Sequence, residues 1–213
     1  MEGICTVNKS KDDDLEWVIF NEKFNNCLTI EILQFLSQYK AIIFGERFNK
    51  PIDLLPDNIV YIDFGNDFDK PVDNLPKSLK YLIFREKFNQ TVDNLPNGLI
   101  YLTFGRYFNK PVDNLPNSLI ELIFDSNSYF DLTVDYLPHG LNILEFGNQF
   151  NQQINMLPNS LKTLKFGLWF NQSVDNLPLT LESLEFPSYS YFNQSVKNLP
   201  KSLQYTYLSK NKL

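Results

Sequence analysis

The sequence predicts a β-rich repeat solenoid, in which the chain winds through similar turns that stack on one another. Phenylalanine recurs in steps of 20 residues, with one step of 22, at Phe44, Phe64, Phe84, Phe104, Phe124, Phe146, Phe166 and Phe186. A second phenylalanine column runs beside it at Phe48, Phe68, Phe88, Phe108, Phe130, Phe150, Phe170 and Phe192. A Leu-Pro pair closes each unit, with prolines at Pro56, Pro76, Pro96, Pro116, Pro138, Pro158, Pro178 and Pro200. A period of this length, held over so many units, is typical of a solenoid.

Composition and charge narrow the classes of function. The 213 residues carry a net charge of -6, whereas a nucleic-acid surface would need a basic stripe. No apolar run approaches the ~18 residues that a membrane span requires, and residues 1–14 lack the apolar core of a signal peptide. Cys5 and Cys27 both lie outside the repeats, as expected for free thiols in a reducing compartment. We therefore expect a cytoplasmic protein with neither a nucleic-acid nor a membrane partner.

Residues 1–43 predict a degenerate N-terminal capping repeat ahead of a regular array at 44–213. Residues 1–15 are polar and acidic, and we expect the first several of them to be loose. The segment EWVIFNEKFN, residues 16–25, reproduces the spacing of the two phenylalanine columns. The segment LTIEILQFLSQY, residues 28–39, predicts a short amphipathic helix because its apolar residues fall on one side.

One unit predicts a short strand, a corner and an extended return limb. In SLKYLIF, residues 78–84, Leu82 and Phe84 alternate with other strand formers, so we predict a strand at about residues 80–84. Strands of successive units lie parallel and ~4.8 Å apart, because the chain travels the same way round each turn. Glycine marks the corner at Gly45, Gly65, Gly105, Gly147 and Gly167. The return limb FNQTVDNLP is extended or polyproline-like, because its proline cannot donate to a sheet.

These motifs resemble known repeats. Leu-x-x-Leu-x-Phe, followed by Asn and a Leu-Pro return, resembles the shortest class of leucine-rich repeats. Phe-Gly-x-x-Phe-Asn together with Leu-Pro-x-Ser-Leu-x-x-Leu-x-Phe resembles the FNIP (Phe-Asn-Ile-Pro) repeat family, over about residues 44–208. That family is found in amoebae and in the giant viruses that infect them, and viral members often carry an F-box. The resemblance implies a leucine-rich-repeat-like solenoid with short parallel strands on the concave face, an extended convex side and little helix. It also implies the host cytoplasm if the protein is viral and, by analogy, an alternative role as a substrate adaptor for ubiquitin transfer.

Two polar columns accompany the core. The first is Asn49, Asn89, Asn109, Asn151, Asn171 and Asn193, and we predict that its amides satisfy backbone groups of the next turn. The second is Asp53, Asp73, Asp93, Asp113, Asp135 and Asp175. Stacked carboxylates raise the alternative of a calcium row, but each unit offers one aspartate and calcium loops combine several oxygen ligands. We expect these aspartates to cap their own turns, and we expect no metal.

The sequence offers no catalytic constellation. His139 is the only histidine, and neither cysteine has a histidine partner at a recognisable spacing. There is no glycine-rich phosphate loop. We therefore predict a non-enzymatic protein without a cofactor.

The outward strand positions carry the functional prediction, because the fold does not dictate them. In the N-terminal half they form a patch of Tyr61, Tyr81, Ile83, Tyr101 and Ile123. Two insertions at one corner add Tyr129, Tyr189 and Tyr191. A contiguous apolar and aromatic patch predicts a scaffold that binds a protein partner, unknown and possibly from a host. The alternative is a sheet surface of ordinary strand-forming residues.

Self-assembly is the alternative function to binding a different protein. The array ends after LQYTYL, residues 203–208. A bare parallel edge there, with Tyr205 and Tyr207, predicts an architectural protein or a homodimer through the C-terminal strand.

Overall fold

Stacked turns place eleven short strands side by side in chain order in one sheet. The structure is a computed structural model that describes residues 3–9 and 16–207, and the strand count refers to these residues. The strands are β1 Cys5–Lys9, β2 Glu16–Phe20, β3 Ala41–Ile43, β4 Tyr61–Asp63, β5 Tyr81–Ile83, β6 Tyr101–Phe104, β7 Glu121–Phe124, β8 Ile143–Glu145, β9 Thr163–Lys165, β10 Ser183–Glu185 and β11 Tyr205–Tyr207. One helix, α1 Ile30–Leu36, lies between β2 and β3.

Strands β2 to β11 pair in parallel, with equal positions of successive turns opposite one another. Leu82 of β5 lies opposite Leu102 of β6, which lies opposite Leu122 of β7. This register sets the inward leucines of β5 to β10 on one another and confirms the predicted β-solenoid of short parallel strands. The predicted strand at 80–84 is observed as Tyr81–Ile83.

The N-terminal end differs from the regular turns. β1 pairs with β2 in antiparallel fashion, with Val7 opposite Val18, and covers the edge of β2 that faces away from β3. The expected looseness therefore does not extend to Cys5–Lys9, whose backbone is held by this hairpin. The predicted helix is confirmed as α1, which buries Ile32 and Leu36. Its N-cap is Thr29, whose hydroxyl accepts a hydrogen bond from the backbone N–H of Ile32 at 3.4 Å.

Two stacked phenylalanine columns form the centre of the core. Within one turn the two rings lie face to face, with centroids 3.6 Å apart for Phe104 and Phe108. Between turns, the second column has a spacing of 6.1 Å from Phe88 to Phe108 and again from Phe108 to Phe130. Parallel strands lie only ~4.8 Å apart. The turns therefore diverge away from the sheet, which curves the array with the sheet on its concave side.

The asparagine column forms the predicted structural ladder. The side-chain oxygen of Asn89 accepts the backbone N–H of Asn109 at 2.9 Å, and that of Asn151 accepts the N–H of Asn171 at 2.8 Å. The same bond recurs at each step from Asn25 to Asn193, with Asp69 and Asp131 taking the place of asparagine in two turns. Each turn thereby satisfies a backbone donor of the next one, which a corner without regular pairing would leave unpaired.

The corner glycines are required by close approach between turns. A Cβ atom on Gly65 would lie 2.0 Å from the carbonyl oxygen of Gly45, and one on Gly105 would lie 2.2 Å from that of Arg85. Neither position has a positive φ, so backbone conformation does not explain the residue choice. Arg85 and Asp125 occupy the same column, so the requirement belongs to the glycine turns and not to the corner in general.

Candidate protein-binding site on the open face of the sheet

The open face is the side of the sheet that points away from the phenylalanine core, and a row of aromatic rings crosses it. Tyr61, Tyr81 and Tyr101 stand at the first position of β4, β5 and β6 and lie opposite one another. Their ring centroids are 6.3 Å apart at both steps. Trp17 of β2 extends the row, because Ala41 of β3 is small and lets the indole reach the Tyr61 ring at 5.1 Å. These four residues are called the aromatic row below.

A second row runs beside the aromatic row, at the third position of each strand. It contains the predicted Ile83 and Ile123, both half-buried. It also contains Asp63, which is only 4% exposed. Arg85 neutralises that carboxylate through two hydrogen bonds, from Nε at 2.8 Å and from Nη2 at 2.7 Å. The side chain of Arg85 keeps 51% of its surface exposed, so a cation stands within the apolar patch.

Burial and the Asp63–Arg85 ion pair together determine the charge states of Tyr61 and Arg85. Burial raises the pKa of Tyr61 to about 12, and the negative charge of Asp63 adds to the effect. The hydrogen bond to Asp63 raises the pKa of Arg85 above its ordinary value. At neutral pH the site therefore offers a neutral phenol and a guanidinium, both of which can donate hydrogen bonds to a ligand.

The C-terminal half of the open face has a different chemistry. Lys165 of β9 lies between two carboxylates, with its Nζ 3.0 Å from Glu145 and 3.8 Å from Glu185. The hydrogen bond to Glu145 raises the pKa of Lys165. This row of alternating charges follows the aromatic row and the neighbouring Ile83 and Ile123, which belong to the turns of β2 to β7.

The insertion tyrosines lie on the corner edge of the solenoid, in two separate clusters. Tyr129 accepts a hydrogen bond from Nη2 of Arg106 at 2.8 Å and meets the ring of Tyr107 edge to face at 5.5 Å. The guanidinium carbon of Arg106 lies 5.1 Å from the centroid of the Tyr129 ring. Tyr191 stacks on Trp169 with centroids 4.3 Å apart, whereas Tyr189 is 87% exposed.

A cavity of about 280 Å³ lies between the open face and the first of these clusters. Ile83 and Thr103 line it from the sheet, and Arg85 and Arg106 line it from the corner. Within the described part of the chain, Thr103 Oγ1 and Arg106 Nε are buried without a hydrogen-bond partner. Tyr129 is thus connected to the open-face patch through Arg106, while Tyr189 and Tyr191 belong to a more distant part of the edge.

The structure adds residues that the sequence patterns did not single out. Trp17 and Arg85 complete the open-face site. The sequence patterns missed them because Trp17 precedes the regular array and Arg85 stands in the column that the corner glycines define. Tyr107 and Trp169 complete the corner clusters. A signal existed for these two, since both directly precede a phenylalanine of the second column, as Tyr129 and Tyr191 do.

The aspartate column is organised differently from the prediction. Asp73 and Asp93 each accept a hydrogen bond at 3.0 Å from the side-chain amide of an asparagine one turn later, Asn94 and Asn114. The expectation that these aspartates cap their own turns is therefore wrong there, because the partner comes from the next turn. Over residues 3–9 and 16–207, no group of three histidine, cysteine, aspartate or glutamate side chains is placed to hold a metal ion.

Two further findings concern the termini and membranes. β11 stands last in the sheet order, but the last six residues, 208–213, lie outside the described part. Self-association through this strand therefore stays a prediction, which sedimentation at rising concentration would test.

Of the helices in the described ranges, none has the length and apolar character needed to cross a bilayer.

The parallel strands, the asparagine ladder and the irregular return limbs with their successive tight turns define a leucine-rich-repeat-like solenoid. A family model described as FNIP Repeat matches residues 48–87, 88–127 and 131–169. The chain therefore belongs to the FNIP repeat family.

The chain is also similar to a solved structure, that of the giant-virus protein CroV588, described as a novel circular LRR protein structure. The TM-score is 0.78 at 37% sequence identity. The match covers 92% of this chain and 33% of that chain, so this chain spans a third of the length of CroV588. A search of curated proteins gave no match.

Proposed function

We propose that this protein is a non-catalytic scaffold that binds a protein partner through the aromatic row and the adjacent Ile83, Arg85 and Ile123. The observation that carries the proposal is the continuous row of four aromatic rings beside a half-exposed arginine. Tryptophan, tyrosine and arginine dominate the binding energy of protein interfaces. Here the tryptophan and the tyrosines stand on paired strands, and Arg85 is held by two hydrogen bonds to Asp63, so these side chains lose little conformational freedom when a partner binds.

The fold supports binding over catalysis. Solenoids of this class present one long surface made of many turns, and a partner can contact several turns at once. The Arg106 and Tyr129 cluster extends this surface around the corner, where Tyr129 is 41% exposed.

The test removes the two central rings of the aromatic row. The double variant Tyr81→Ser, Tyr101→Ser should fold, because Tyr81 is 43% exposed and Tyr101 is only half-buried on the open face. Its affinity for a partner recovered by pull-down with the parent protein should fall at least tenfold, or about 1.4 kcal/mol. The matched control is Glu145→Ser, Glu185→Ser, which changes the same face outside the patch and should leave the affinity unchanged. Equal affinity of the folded tyrosine variant and the parent would show that the open face is not the binding site.

A further inference from the structure

The return limbs on the convex side carry a second ladder, made by aspartate and asparagine. In each case the side-chain amide of an asparagine donates to the side-chain oxygen of the residue one column earlier in the preceding turn. The bonds are Asn74 to Asp53 at 3.2 Å, Asn94 to Asp73 at 3.0 Å, Asn114 to Asp93 at 3.0 Å, Asn176 to Asn155 at 3.3 Å and Asn198 to Asp175 at 3.1 Å.

This ladder is interrupted at two adjacent turns. Tyr136 and Met156 stand where the other turns have asparagine, and neither can donate an amide hydrogen bond. Within the described residues, Asp113 and Asp135 consequently accept no side-chain amide and form no ion pair. Both carboxylates are exposed.

Leu54, the first residue of the asparagine column in this ladder, differs from Tyr136 and Met156 in what its substitution costs. Leu54 also replaces asparagine there, but the preceding turn is formed by residues 26–43, which contain no aspartate. Leu54 is 75% exposed as well, but it forgoes no bond to an aspartate. Tyr136 and Met156 each forgo an available bond, and they place large apolar side chains in water, 72% and 64% exposed.

The interruption coincides with a groove of about 850 Å³ on the convex side. Asp113, Asp135, Tyr136 and Met156 line it, together with His139. The groove thus combines two unpaired carboxylates on adjacent turns with two exposed apolar side chains. The phenylalanine core separates it from the aromatic row on the sheet.

We propose that this groove binds an extended peptide segment of a partner protein that carries basic residues followed by an apolar one. Carboxylates can only accept hydrogen bonds, so the ligand must supply cationic donors such as lysine or arginine. The ring centroids of Phe108 and Phe130, which belong to consecutive turns, are 6.1 Å apart. This spacing is close to the ~6.7 Å between alternate side chains of an extended chain. Two basic side chains at alternate positions therefore meet Asp113 and Asp135, and the apolar side chain packs on Tyr136 and Met156. Methionine suits this contact because it adapts its shape.

The probe is a fluorescein-labelled peptide in which serines alternate with two lysines and a leucine, called the lysine peptide. A second peptide, with glutamate in place of each lysine, is the control. The lysine peptide should bind with a Kd below about 1 mM, and the glutamate peptide should not bind. In the variant Tyr136→Asn, Met156→Asn the asparagines restore the ladder, so folding is preserved while the affinity should fall at least tenfold. Asp113→Asn, Asp135→Asn should have the same effect.

The matched control is Asp73→Asn, Asp93→Asn, which removes two carboxylates of the same column where the ladder is intact, and it should leave the affinity unchanged. No binding of the lysine peptide to the parent at about 1 mM would overturn the proposal. So would equal binding to the parent and to the folded Tyr136→Asn, Met156→Asn variant, which would place the peptide on another acidic surface. The open-face variant Tyr81→Ser, Tyr101→Ser should bind the lysine peptide normally, so failure of one site is distinguishable from failure of the other.

Discussion

A glycine at the corner of a turn lets the backbone of the preceding turn come into contact with it. At Gly105 a Cβ atom would meet both the carbonyl oxygen and the carbonyl carbon of Arg85, at 2.2 and 2.3 Å. Gly98 stands in another column, where a Cβ atom would meet only the tip of the flexible Lys80 side chain, at 2.7 Å. Other turns have serine at the position of Gly98. Ser78 and Ser118 each donate a 2.6 Å hydrogen bond to a backbone carbonyl of the preceding turn.

The two glycines should therefore respond to substitution in opposite ways. Gly105→Ala should lower the free energy of unfolding by about 1–3 kcal/mol, because a packed backbone must move. Gly98→Ser should keep or raise it by up to about 1 kcal/mol, since the hydroxyl can make the bond that Ser118 makes and the unfolded chain loses freedom. Urea titration monitored by circular dichroism measures both. Equal stability of Gly105→Ala and the parent would contradict the close approach of the two turns.

Residue patterns in the sequence predicted interactions that repeat and missed those that occur once. The ladder from Asn49 to Asn193 was predictable, because the same residue type recurs at the same step. The Asp63–Arg85 pair was not, because it joins residues 22 positions apart and Arg85 replaces a corner glycine. A repeat pattern describes only what the turns share, so it does not reveal such exceptions. On the open face and in the convex groove, these exceptions are the residues available for binding.

The phenylalanine columns are the element that holds neighbouring turns together. Phe108 is fully buried, stacks on Phe104 within its turn at 3.6 Å, and contacts Phe88 and Phe130 in the adjacent turns. Phe108→Ala should lower the free energy of unfolding by about 3–5 kcal/mol, because it removes a large ring and leaves a cavity.

Tyr107 supplies the control for this substitution, because it is the next residue along the chain and is 43% exposed. Tyr107→Ala removes an edge-to-face contact and a cation–π contact, which together contribute about 1 kcal/mol at an exposed site. Chemical denaturation of both variants gives the comparison. A loss below about 1 kcal/mol for Phe108→Ala would mean that the second phenylalanine column faces solvent.

At the level of elements, strands and helix were predicted where apolar residues are periodic. α1 was recognisable because Ile32 and Leu36 lie one turn apart on its buried side. β1 was missed because CTVNK is mostly exposed and has only two alternating apolar residues, Cys5 and Val7, and only its pairing with β2 makes it a strand. Pairing partners distant from the regular repeat are not encoded in the local sequence.

Across the whole molecule, ring stacking is continuous from Phe20 to Phe192, without a turn that lacks it. Each turn contacts only its neighbours, so a solenoid unfolds as one unit only if the interfaces between turns are strong compared with the turns themselves. The two tryptophans report on this property from opposite ends, because Trp17 contacts Tyr61 and Trp169 stacks on Tyr191.

Single-tryptophan variants test this cooperativity directly. Trp17→Phe leaves a reporter near the C-terminal end, and Trp169→Phe leaves one near the N-terminal end. Fluorescence should show both ends unfolding at the same urea concentration, as expected for a two-state transition. Adding Phe108→Ala, which acts on a turn between the two reporters, should shift both midpoints downward together. If the substitution moved only one of the two transitions, the array would consist of independently folding segments, and a partner bound at the aromatic row would then stabilise only the N-terminal turns.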